Sequence, residues 1–173
     1  MKKSLILLML FAVAMSCMSQ TKQDLMNYLA NNVNSLNPIE GVYDVEWHCR
    51  YITPFVDRVY GAYDATVIIV RNTEGSYNVY HSSGYGIDSY EFRIASNLYI
   101  SQLGESNVYN FFYYTSKCRI KLTDNNTHFV AKLQLDNGSA CKLIPWMNIA
   151  PSVNIYPVYD CIKTYPTQSM YNR

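Results

Sequence analysis

Asn37-Pro38-Ile39-Glu40-Gly41-Val42-Tyr43-Asp44-Val45-Glu46-Trp47-His48-Cys49-Arg50-Tyr51 is the stretch whose reading decides the fold. Pro38 fixes φ and Gly41 tolerates any φ, so together they end whatever precedes them. From Val42 the residues alternate. Tyr43, Val45, Trp47, Cys49 and Tyr51 share one face, and Asp44, Glu46, His48 and Arg50 share the other. A period of two is the signature of a half-buried strand, because successive side chains point to opposite faces.

Working outward towards the N-terminus, Leu25, Leu29 and Val33 recur at four-residue intervals, with Met26 and Leu36 widening the stripe. That spacing predicts one amphipathic helix over residues 22–36, closed by Asn37-Pro38. A single helix before a run of strands needs a sheet face to lie on. Ala65-Thr66-Val67-Ile68-Ile69-Val70 is apolar on both sides, as a strand covered twice should be. The helix is therefore expected on its outer face, near Val67 and Ile69.

Towards the C-terminus the half-buried pattern repeats. Strands are expected over residues 77–81, 90–95, 98–103, 108–115, 118–123 and 128–135, with a hairpin at Asp136-Asn137-Gly138 and a return over 141–144. Connections this short force antiparallel pairing, since a parallel pair needs a crossover of about a dozen residues. The prediction is a mainly β chain: one antiparallel up-and-down β-barrel of about eight or nine strands with the helix packed outside. Closure is favoured because it removes exposed edges. Four prolines from Pro145 to Pro166 predict an irregular tail over 145–173, in which Val153-Asn154-Ile155-Tyr156 adds at most an edge strand.

Composition bounds the class. The 173 residues are 49% hydrophobic, 16% charged and 14% aromatic, with 17 tyrosines, which excludes a disordered chain. Lys2-Lys3, the apolar run from Leu5 to Val13 and the small residues around Ser16 and Ser19 read as a signal peptide over residues 1–19. The chain is then exported, to the periplasm, the outer membrane or the exterior, as one domain over residues 20–173. Two processing routes compete. Ala14-Met15-Ser16-Cys17 resembles a bacterial lipobox that would acylate Cys17, and the other route is cleavage after Ser19. Without Lys2 and Lys3, 12 basic residues face 13 acidic ones. That balance, with no run of Lys or Arg, argues against nucleic acid, and leaves a lipid anchor as the only membrane contact.

Either route leaves Cys49, Cys118, Cys141 and Cys161, an even set that suggests two disulfides in an oxidising compartment, with three pairings open. Cys161, in the irregular tail, reaches a partner most easily. Four buried free thiols are the competing reading.

Pro38-Ile39-Glu40-Gly41-Val42-Tyr43, after a helix and opening a strand, resembles the calycin (lipocalin-like) opening, in which Gly-x-Trp starts the first barrel strand; Gly41 matches and Tyr43 stands in for the tryptophan. It is also similar to small secreted proteins of Gram-negative gut anaerobes with Ile-Glu-Gly-Ile-Tyr/Trp at this point. The later Thr-Asp-Tyr loop, the basic residue on the last strand and the C-terminal helix of calycins have no counterpart here. The resemblance implies the barrel and a binding role.

No enzymatic motif stands out. His48, His81 and His128 lack metal-ligand spacing, no Gly-x-Ser-x-Gly occurs, and no cofactor is expected. His48 with Asp44, Glu46 and Arg50 reads as a solvated outer face. The run Phe111-Phe112-Tyr113-Tyr114 places two rings on each face of its strand. The expected function is non-catalytic binding of a small apolar or amphipathic ligand in the barrel, lined by Tyr43, Trp47, Phe92, Phe111 and Tyr113. The alternative is a surface interaction protein that takes glycan or protein on exposed tyrosines.

Overall fold

The computed structural model describes residues 20–52, 54–55, 57–82, 91–104, 106–135 and 154–166. The signal peptide with Cys17, the hairpin at residues 136–138, Cys141 and the return strand lie outside the described residues, as does the side chain of Phe92.

The chain opens with β1 (Gln20–Thr21) and α1 (Lys22–Asn31). Thr21 caps the helix: its hydroxyl accepts from Asp24 N at 3.1 Å while the Asp24 carboxylate accepts from Thr21 N, a reciprocal capping box. The helix stops five residues before the expected end. Asn32 turns both its backbone N–H and its side-chain amide onto Tyr28 O, and Ser35 bonds Asn32 O. Asn and Ser compete for backbone groups, so this Asn-rich segment closes the helix although the apolar stripe runs on.

Among the described residues eight longer strands follow: β2 (Gly41–Ile52), β3 (Asp57–Arg71), β4 (Tyr77–Ser82), β5 (Glu91–Gln102), β6 (Val108–Tyr113), β7 (Ser116–Lys121), β8 (His128–Lys132) and β9 (Asn154–Tyr165). Every pairing is antiparallel, in the order β7-β6-β5-β4-β3-β2-β9-β8, and β1 adds to β5. The two ends of that order, β7 and β8, are consecutive in the chain and joined by a tight turn carrying the Thr123↔His128 bridge. Across this seam the Lys132 backbone lies near the Cys118 thiol. The result is a nearly closed, up-and-down barrel, compatible with a calycin-like fold.

The five alternating residues of β2 point where their spacing says. Tyr43, Val45 and Cys49 are buried in the barrel core, and Trp47 and Tyr51 pack against it. The outer cluster joins Leu25 and Leu29 of α1 to Val42, Ile68, Val70 and Tyr80, so the helix lies outside the barrel as expected. It rests on the opposite parity of β3 from the one predicted: Ile69 is in the inner core with Val67 against it. Cross-strand partners share a face, and Val67 pairs with inward Tyr43. A strand apolar on both sides carries no local signal of which side faces in, and an error of one residue reverses every side chain.

Two other expectations are corrected. The segments expected as two strands over 90–95 and 98–103 meet in one, β5 (Glu91–Gln102), whose pairing to β4 slips between Asn78 and Tyr80. Within the expected irregular tail, residues 154–165 are a central strand, β9, flanked by β2 and β8. Pro157 is tolerated there because its carbonyl accepts from Leu133 N at 3.0 Å, so its missing N–H faces the same side, just beyond β8's last residue.

Candidate functional site: the barrel interior

The floor of the barrel is built by the residues that precede β2. Ile39 is fully buried, and Tyr43 O–H donates to its carbonyl at 2.9 Å. Glu40, only 3% exposed, accepts from Asn37 N at 2.8 Å, Arg71 N at 2.9 Å and Tyr28 O–H at 3.3 Å. Lys163 enters from β9 on the inward parity, donates to Pro38 O and sits over the Tyr43 ring. Burial pushes its amine down to about 8, with the Glu40 charge opposing. Glu40 and Lys163 were not foreseen. Each stands in an apolar-looking context, and only strand pairing brings them to one end.

Above the floor the lower half of the interior is filled with rings. Tyr43 meets Phe129 edge-on at 5.3 Å, Tyr77 meets Tyr109 at 5.8 Å, and Phe111 lies 6.3 Å from Phe129. An eight-stranded barrel is just wide enough for its own side chains, so these rings close the lower lumen. Tyr43 and Phe111, two of the expected lining residues, belong to this packing.

The upper half is arranged differently. Trp47 on β2 pairs directly with Tyr159 on β9; both point inward at mid-strand and both are only partly buried. Their inward neighbours Val45, Cys49 and Cys161 are fully buried. Tyr159 is 5.2 Å from Phe111 and 6.2 Å from Tyr113, and Tyr113 meets Tyr114 edge-on at 4.8 Å. Trp47, Phe111 and Tyr113 are thus brought to one aromatic wall, and Tyr159 joins them. Tyr159 was missed because its segment reads as proline-rich tail.

Cys49, Cys118 and Cys161 are free thiols, and no disulfide is found among the described residues. Cys49 pairs with Pro157 and Cys161 with Val45 on the same two strands, an offset of four residues. Four residues of strand span about 13 Å, far beyond the roughly 7 Å limit between bridged Cα atoms. Cys161 is fixed in β9 rather than held on a loose tail. Burial pushes the Cys49 and Cys118 thiols up to about 11 and raises Cys161 as well.

Outside the barrel, His128 Nε2 lies 2.7 Å from Asp160 and Nδ1 3.3 Å from Asp124. Thr123 Oγ1 stands 3.3 Å from the same Nδ1. The group sits in the half-exposed β7–β8 turn, where it clasps the seam to β9. His48, on the outer parity of β2, sits opposite Val158, two residues along β9 from Asp160, and shares none of these contacts. Arg50 instead pairs with Asp57, which holds that carboxyl below its ordinary value. Among the described residues no set of three His, Cys, Asp or Glu side chains is placed to hold a metal. A shallow cleft of about 300 Å³ lies at the helix edge, between Leu25 and Tyr28 on one side and Val70, Asn72 and Asn78 on the other.

Compared with protein-family models and with curated proteins, the chain matches none of them.

Proposed function

We propose that this is an exported, non-catalytic binding protein of calycin-like type that holds a small apolar or amphipathic ligand in the upper half of its barrel. The observation that carries this reading is the half-buried state of Trp47 and Tyr159, paired at mid-strand on inward positions above a floor of buried rings. Aromatic walls with a few polar tips suit an amphipathic guest, since each ring offers a large apolar face at small entropic cost. Tyr159 and Tyr113, with ring centroids 6.2 Å apart, are the tyrosines of that wall. Export by a signal peptide over residues 1–19, followed by either acylation at Cys17 or cleavage after Ser19, belongs to this reading. Thiols buried in the core are shielded from oxidants, so they are consistent with an oxidising compartment.

The experiment is fluorescence titration of a Trp146→Phe variant, in which Trp47 is the sole tryptophan. Saturable quenching or a blue shift with one member of a fatty-acid and retinoid panel, weakened by Tyr159→Ala, is the expected result. If Trp47 emission stays constant across the panel, the lumen is not a binding site.

A further inference from the structure

We propose that the outer face of β4–β7 is a binding platform for an acidic oligosaccharide, independent of the lumen. Strand pairing builds one continuous outward row across four strands: Asn78, Tyr99, Phe112 and Lys117, each directly opposite the next. A second row beside it runs Ser101, Asn110, Arg119. Tyr99, 45% exposed, and Phe112 stack face to face, with centroids 4.3 Å apart and planes 7° from parallel. Two stacked rings on an open sheet face hold apolar surface in water with no helix or strand laid over them in the described fold. The cluster beneath α1 takes Val42, Ile68, Val70 and Tyr80 instead.

Among the described residues the charge of this face is carried by the cations of β7. Lys117, Arg119 and Lys121 are all exposed and follow one another on the outward parity of β7, a row invisible as a run because inward residues separate its members. Apart from Glu91 at the far end of β5, strands β4–β7 contain no acidic residue. Among the described residues no carboxylate pairs with Lys117 or Lys121. The exposed carboxylates Asp44, Glu46 and Asp64 stand instead on β2 and β3.

The row from Asn78 to Lys117 covers three strand spacings, about 14 Å, the reach of a short oligosaccharide. Sugar rings stack by their apolar faces on aromatic rings, amides such as those of Asn78 and Asn110 pair with hydroxyls, and the β7 cations meet carboxylate or sulfate groups. Three cations on a near-neutral chain make a weak electrostatic footprint for nucleic acid, whose phosphates follow one another far more densely. A uronate polymer, with its wider charge spacing and stackable rings, fits both halves of the platform.

The test is affinity electrophoresis of the mature chain through gels containing polygalacturonate, with neutral dextran and oligothymidylate as comparators. Retardation by polygalacturonate alone is expected. The triple variant K117Q/R119Q/K121Q, all exposed positions, should bind about tenfold more weakly and lose most of the salt dependence. Tyr99→Ser should weaken binding about fivefold while keeping the salt dependence, since it removes stacking and not charge. Mobility unaffected by polygalacturonate, undiminished binding by the triple variant, or tighter binding of oligothymidylate overturns the proposal. Trp47 emission, which reads the lumen, should not respond to polygalacturonate.

Discussion

The ammonium group of Lys163 stands over the ring of Tyr43, 5.4 Å from its centroid, within the floor of the barrel. A cation on the face of a desolvated ring is attracted by its quadrupole, yet burial still costs the charge more than the ring and the Pro38 carbonyl return. The outcome is the amine's fall to about 8.

The pH dependence follows from that value. An unfolded lysine titrates near 10.4. Between about 8 and that value the unfolded chain binds more protons, so stability rises with pH across this window, and below it the penalty is fully present. The penalty is roughly 3 kcal/mol. In urea unfolding, the wild-type chain should gain about 2 kcal/mol relative to Lys163→Met between pH 7.5 and 9.5. The thiols and tyrosines are common to both chains and cancel. A difference that does not move with pH would remove Lys163 as the cause.

Glu40→Gln should destabilise by about 2–4 kcal/mol, because it sets a donor amide against groups that already donate: Asn37 N, Arg71 N and the Tyr28 hydroxyl. The same change removes the charge that raises the Lys163 amine, so the pH window above should shift lower. Chemical denaturation at several pH values reads both effects.

Gly41→Ala should cost roughly 3 kcal/mol. A Cβ at this position would lie 2.3 Å from Tyr165 O, and φ is +153°. The carbonyl belongs to the β9 backbone and has no rotamer with which to retreat. Thermal melting checks this, and a change in midpoint of under about 2 °C would contradict it.

Phe129→Ala should cost about 3–5 kcal/mol, since the ring is 1% exposed and touches both Tyr43 and Phe111. The vacated space adjoins the aromatic wall, so the variant should also accept bulkier apolar ligands in the Trp47 fluorescence assay. Unfolding and titration of one preparation measure the two outcomes together.

Cys49 and Cys161 should resist alkylation in the native chain at pH 8 and react only with unfolding. Both are buried and both thiols titrate well above that pH. Peptide mapping after iodoacetamide, with and without urea, distinguishes them from Cys118, which is half-exposed. Rapid native labelling of Cys49 would mean that the barrel opens along β2.

Much of the architecture was legible because it is written locally. The alternation from Val42 to Tyr51 announces both the strand and its inner face, since polar and apolar residues differ at every step. The stripe of Leu25 and Leu29 announces the helix and its buried side in the same way. Ala65 to Val70 identify a strand but not its orientation, because both of its faces are apolar and the choice falls to the pairing with Tyr43. The C-terminal strand was hidden by Pro157, which is harmless only because its missing donor falls past the end of β8. For the candidate site, Trp47, Phe111 and Tyr113 were recognisable as inward aromatics, whereas Tyr159 was concealed with its strand.

By itself the sequence settled what short-range periodicity can settle: strands in antiparallel succession, one amphipathic helix, and the inward side of β2. Register between distant segments belonged to the tertiary structure alone. It placed β9 beside β2, stood Lys163 over Tyr43, set Tyr159 against Trp47 and aligned Asn78, Tyr99, Phe112 and Lys117 across four strands. The reason is physical. A side chain's face repeats every two residues along its own strand, but its neighbour on that face is chosen by burial summed over the whole closed sheet.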